Sequence, residues 1–137
     1  MFAAVPLLVL PVAIYNLVLL ILPGGPAAAG ASAELASPLF TVPMTSGAAW
    51  PVSLGDVLLA SALAVLFVDL MKPSGGPRAA AANLGFCLLL LVLCVGEFLA
   101  LGGCATSVFF LITLMVLLDA LAAFTVTVLG GRSRPEA

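Results

Sequence analysis

The sequence predicts an all-α membrane protein with four transmembrane helices, both termini on the inner side and an outer loop able to carry a short β-hairpin. Three observations lead there. The 137 residues are 64% hydrophobic and 7% charged, where soluble domains carry about a quarter charged residues, so most of the chain is unsuited to water. Four apolar segments, about residues 2–22, 52–71, 79–101 and 105–129, reach the roughly 20 residues that a helix needs to cross a bilayer. The four basic residues fall at two places, Lys72 and Arg78 between the second and third segments, and Arg132 and Arg134 after the fourth. An even number of crossings separates those places, and the positive-inside rule makes their common side cytoplasmic.

Taken in order, the first segment carries Pro6 and Pro11 and is closed by Pro23-Gly24-Gly25-Pro26. Pro11 cannot donate to the carbonyl of Leu7, which predicts a bend. A competing reading makes this segment a cleaved signal, with Ala31-Ser32-Ala33 as an A-x-A site. Its apolar core of about 21 residues exceeds the roughly 7–15 of signal peptides, and a charged leading region is missing. The outer loop, residues 24–51, begins with the small-residue run PGGPAAAGASAELASP, which reads as irregular. Two short apolar runs then flank Thr45-Ser46-Gly47, the pattern of a hairpin. Pro43 and Pro51 would confine its strands to edge positions. Trp50 suits the headgroup level as an interface anchor.

Ser53 followed by Asp56 has the spacing of a capping box at the start of the second helix. Lys72-Pro73-Ser74-Gly75-Gly76-Pro77-Arg78 separates the second and third segments, and Gly102-Gly103 makes the tight connection to the fourth. Near the inner end of the second segment, Asp69 is three residues before Lys72, so an interfacial ion pair is expected, with Arg78 in reach.

Three polar residues lie within the apolar segments. Asn16 needs an interhelical partner. Glu97 stands about 6–8 Å below the outer end of the third segment, on a stripe with Asn83, Cys87, Leu90 and Cys94 at helical spacing. It is level with Asn16, and an Asn16–Glu97 hydrogen bond is expected. Asp119 lies about 20 Å below the outer end of the fourth segment, where a central charge must face protein or a cavity. Ala122 and Ala123 beside it admit a close helix. Structural and functional readings stand side by side for Asp119. Its depth differs from that of Glu97 by about 13–15 Å, which excludes a shared-proton pair between those two within one chain, and it is closer in depth to Cys87.

The residues Phe40-Thr41-Val42-Pro43-Met44, Trp50-Pro51-Val52-Ser53-Leu54-Gly55-Asp56 and Thr106 through Met115 resemble a group of small uncharacterised bacterial inner-membrane proteins. The resemblance covers the chain from about residue 39 onward and implies a multi-pass protein of the bacterial cytoplasmic membrane, with no activity attached. In size the chain also resembles the small multidrug transporters, but it departs from them in carrying Asn16 and no acid in the first segment.

Histidine is absent, and the three cysteines show no CxxC spacing, so neither a metal site nor a cofactor site is expected. Four basic residues are too few for a nucleic-acid surface, and no nucleophile–base pair can be assembled for an enzyme. The expected function is a non-enzymatic accessory or scaffold subunit that packs in lipid against other membrane proteins or copies of itself. The alternative is a small oligomeric transporter or proton-linked channel using Asp119 and Glu97.

Overall fold

A computed structural model describes residues 4–27, 30–73 and 75–132; the Phe2 start of the first segment and Arg134 lie outside them. The order of elements is α1 (Val9–Ile21), α2 (Ala31–Leu35), β1 (Pro38–Pro43), β2 (Ala49–Ser53), α3 (Leu54–Met71), α4 (Pro77–Ala100), a 3-10 turn (Gly102–Cys104) and α5 (Ser107–Arg132). Helices α3, α4 and α5 are each long and apolar enough to cross a membrane. Helix α5 is central, with α4 on one side and α3 on the other, and α1 leans on α3 and α5.

The first helix is shorter than its apolar run. It begins at Val9 rather than near Phe2 and has 13 residues, about 20 Å of helix against a hydrocarbon thickness near 30 Å. The prolines explain the difference. Pro11 falls in the first turn, where a helix has no use for an N–H, so the expected bend is replaced by a helix start. Residues before it form turns, with the Val9 amide donating to the Pro6 carbonyl and the Leu10 amide to that of Leu7.

Each long helix buries one stripe. Leu8, Val12, Tyr15 and Leu19 supply it along the α1 segment, Leu58, Ala62 and Leu66 in α3, Cys87, Leu90 and Cys94 in α4, and Phe109, Ile112 and Val116 in α5, all at the spacing of a single helical face. The opposite faces carry exposed large apolar side chains, among them Phe67, Val92, Leu99 and Leu118, as expected of helices solvated by acyl chains rather than water. Hydroxyls on these helices bond their own backbones, as Thr113 does to the Phe109 carbonyl at 2.9 Å.

The expected hairpin is present. β1 and β2 pair antiparallel, with Phe40 opposite Val52 and Val42 opposite Trp50, and its turn closes through the Met44 amide donating to the Ala48 carbonyl at 2.9 Å. Trp50 is half-exposed. Residues 31–35, expected to be irregular, instead form α2. Ala31 and Leu35 are a helical turn apart and both buried, so one turn of helix covers the end of the bundle where α3 and α5 start, the outer end in the expected orientation. This cover needs two close approaches. A Cβ at Gly55 would lie 2.7 Å from Val108 Cγ2, and one at Gly103 would lie 2.6 Å from the Pro26 carbonyl oxygen, which accepts the Gly103 amide at 2.9 Å.

Candidate functional site

The end of α3 presents Asp69, in its last turn, and Lys72, its C-cap residue, on the side facing the α1 segment. Asp69 Oδ1 lies 2.5 Å from Lys72 Nζ, and the Asp69 side chain is only 1% exposed. The expected ion pair is therefore buried at its acidic end. Its partners are backbone groups that Pro6 and Pro11 leave outside regular helix. The Leu7 amide donates to Asp69 Oδ2 at 2.6 Å, and Lys72 Nζ donates to the Val5 carbonyl at 2.7 Å. The pair clasps the start of the first segment, replacing the intrahelical partners that an orphan amide lacks.

Asp119 occupies the position on the buried stripe of α5 where the next apolar residue would fall. It is 4% exposed, accepts the Cys87 thiol proton at 3.3 Å, and faces Asp69 with the two carboxyl groups within hydrogen-bonding reach. Between α3, α4 and α5 at this level is a cavity of about 70 Å³, lined by Asp69, Lys72, Asn83 and Asp119 together with the small side chains Ala122 and Ala123. The alanines leave the space that larger residues would fill. Asn83 Oδ1, on the cavity wall, is buried with no hydrogen-bond partner among the described residues.

The polar groups of the outer half are arranged differently. Asn16 Nδ2 donates to Glu97 Oε2 at 3.0 Å, the pairing expected from depth, and to its own Val12 carbonyl at 3.2 Å. Tyr15 Oη lies 3.0 Å from the Gly103 carbonyl and 2.5 Å from Thr106 Oγ1. A carbonyl can only accept, so the single Tyr15 proton goes to Gly103 and Thr106 donates to Tyr15. Thr106 Oγ1 in turn accepts the Phe109 amide at 3.2 Å, the N-cap of α5. The Tyr15 and Phe109 rings are 4.8 Å apart and tilted. Ser53 and Asp56 form the expected capping box, with Ser53 Oγ accepting the Asp56 amide at 3.2 Å and Asp56 Oδ2 accepting the Ser53 amide at 2.9 Å.

The fold thus separates Glu97 from Asp119 and brings Asp119 to Asp69 and Cys87. The Asp69–Asp119 approach is absent from the sequence reading, although a signal existed. Counted from the outer starts of α3 and α5, the two acids lie about 22 and 18 Å down parallel helices. Tyr15 and Thr106 are also absent from it; Thr106 directly before an apolar run has the form of an N-cap. All three cysteines are free and buried. In the outer turn the Cys104 thiol is pushed up to about 11, by burial first and then by the Glu97 charge.

No protein-family model matches the chain, no curated protein is significantly similar to it, and no solved structure matches its fold. The class follows from the molecule itself: three helices long and apolar enough to cross a membrane, largely exposed along their apolar faces, mark a helical membrane protein.

Proposed function

We propose that the protein crosses the bacterial cytoplasmic membrane four times with both termini inside, and serves without catalysis as an accessory or scaffold subunit within a membrane complex or homo-oligomer. For the fourth crossing, the support is that the segment from Val5 to Leu22 runs from the Asp69–Lys72 clasp at one end of the bundle to the Gly103 turn at the other. For the orientation, it is that the described cations Lys72, Arg78 and Arg132 stand at one end of the helices.

The packing role is carried by α4. Of its 24 residues only Cys87, Leu90 and Cys94 are buried, and Gly85, Leu89, Val92 and Gly96 share an outward face on which a Cβ at either glycine would meet nothing within 4 Å. Small residues of this kind let a second helix approach closely in lipid. Purification in mild detergent with mass measurement tests the reading. A homo-oligomer or a complex with larger partners is expected, dissociating on Gly85→Leu with Gly96→Leu. A monomer free of partners would exclude it.

The alternative, a transporter or proton-linked channel using Asp119 and Glu97 together, draws on acids engaged in different places, Glu97 on Asn16 and Asp119 on Cys87 and Asp69. A pH-driven flux in reconstituted vesicles that is lost in both Asp119→Asn and Glu97→Gln would favour it.

A further inference from the structure

We propose that the cavity between α3, α4 and α5 is a proton-binding site, in which one proton is held between Asp69 and Asp119 with water bridging to Asn83. The first ground is charge. Among the described residues, the titratable and charged groups facing the cavity are Asp69 from α3, Lys72 just past its end, Cys87 from α4 and Asp119 from α5. With Cys87 as the neutral donor, two carboxylates and one ammonium leave a net charge of −1. Arg78 and Arg132 do not line the cavity. An uncompensated charge in a membrane interior is costly, and one bound proton removes it.

The second ground is the hydrogen-bond inventory. Asp69 spends Oδ1 on Lys72 and Oδ2 on the Leu7 amide, and Asp119 spends Oδ2 on Cys87. The two carboxyl groups lie within hydrogen-bonding reach of each other, and two carboxylates cannot bond without a proton between them. Asn83 Oδ1 is a buried acceptor lacking a donor among the described residues, which costs free energy until something donates to it. A cavity of about 70 Å³ has room for water, whose share of liquid volume is about 30 Å³ per molecule.

The inventory also selects a proton over a metal cation. A hard cation such as calcium gathers six to eight oxygen ligands. Asp69 is already bonded by Lys72 and the Leu7 amide and keeps lone pairs enough to share one proton. With the Lys72 ammonium on the same wall, only Asp119 and Asn83 add further oxygen donors, far short of a cation's shell. Among the described residues no group of three His, Cys, Asp or Glu side chains is placed to hold a metal ion. A proton needs only two oxygens.

Access is from the inner end. A second hollow of about 230 Å³ adjoins the cavity through Ala80 and Val126, and is lined by Gly76, Pro77, Gly130 and Gly131 at the start of α4 and the end of α5. Outward, the next turns of the three helices carry Leu66, Leu90 and Val116, all buried in one apolar cluster. The site is therefore a dead end reached from one side.

Infrared spectroscopy of the protein in a maltoside detergent, which has no ester carbonyl, tests the assignment. At neutral pH the wild type is expected to show a carboxylic acid C=O band that shifts on transfer to D2O. Glu97→Gln should leave the band in place, Asp119→Asn should abolish it, and so should Asp69→Asn. Sodium or potassium added at constant pH should leave it unchanged. A wild type without the band refutes the proposal by itself, whether or not a variant folds. So does a band that survives in Asp119→Asn or disappears in Glu97→Gln. Loss of the band on adding sodium, with release of a proton, would make this a cation site and overturn the proposal as well.

Discussion

The inner and outer ends of the bundle both tie the first segment to the other helices, by different means. At the outer end, Tyr15, Thr106, Asn16 and Glu97 engage one another or a backbone carbonyl, and the Gly103 amide meets the Pro26 carbonyl. At the inner end Asp69 and Lys72 grip the backbone of Val5 and Leu7, but Asp119 adds a second carboxyl and Asn83 an acceptor without a donor among the described residues. The outer network is matched within the chain and serves as a lock. The inner one is mismatched by one charge and one donor, and a mismatch of that kind leaves a place for something from outside.

The comparison breaks first at Asp69. Asp69→Leu removes the buried partner of Lys72 and the acceptor of the Leu7 amide, and should cost about 3–5 kcal/mol, read from unfolding in mixed dodecyl sulfate and maltoside micelles. A cost no larger than that of the outer variants would show that the charged clasp is not the stronger tie. Gly103→Val comes next. Its added carbons meet the Pro26 carbonyl oxygen, so the outer cover must shift, at about 1–3 kcal/mol in the same assay.

Tyr15→Phe keeps the ring against Phe109 but leaves the Gly103 carbonyl without its donor, with an expected loss of about 1–2 kcal/mol. An unchanged midpoint would mean that this carbonyl finds water. Asn16→Leu removes an interhelical hydrogen bond worth about 0.6–2 kcal/mol. Glu97→Gln, which still offers Asn16 an acceptor, should cost less than Asn16→Leu. The smallest effect is a rate. With its thiol pushed up to about 11, Cys104 is about one part in a thousand thiolate at about pH 8, so maleimide labelling should be slow and rise roughly tenfold per pH unit. Gly103→Val should speed it by opening the turn, and rapid labelling of the wild type would contradict the burial of this end.

Much of the scaffold was readable because its causes are local. Ser53 and Asp56 cap α3 through groups three residues apart, and the Thr45-Ser46-Gly47 turn between short apolar runs sets the hairpin. The Asn16–Glu97 bond followed from depth counted along two helices. The start of α1 was misplaced because hydropathy does not register the amides that Pro6 and Pro11 lack. α2 was missed because five residues carry too little periodicity, and its helical turn is held by the surface that Ala31 and Leu35 cover. Asp69 was read through its nearest sequence neighbour, Lys72, and its partner on α5 lies 50 positions away.

The sequence by itself determined the solvent of this protein: long apolar runs punctuated by proline and glycine must fold as helices in lipid, because no other structure satisfies their backbones there. It also determined which few polar groups would need partners. Only the tertiary structure decided which partners they found. Parallel packing of α3 and α5 sets Asp69 against Asp119, and the alanines of α5 leave the cavity between them. Burial and pairing are properties of several helices meeting at one depth, and no single stretch of sequence holds that information.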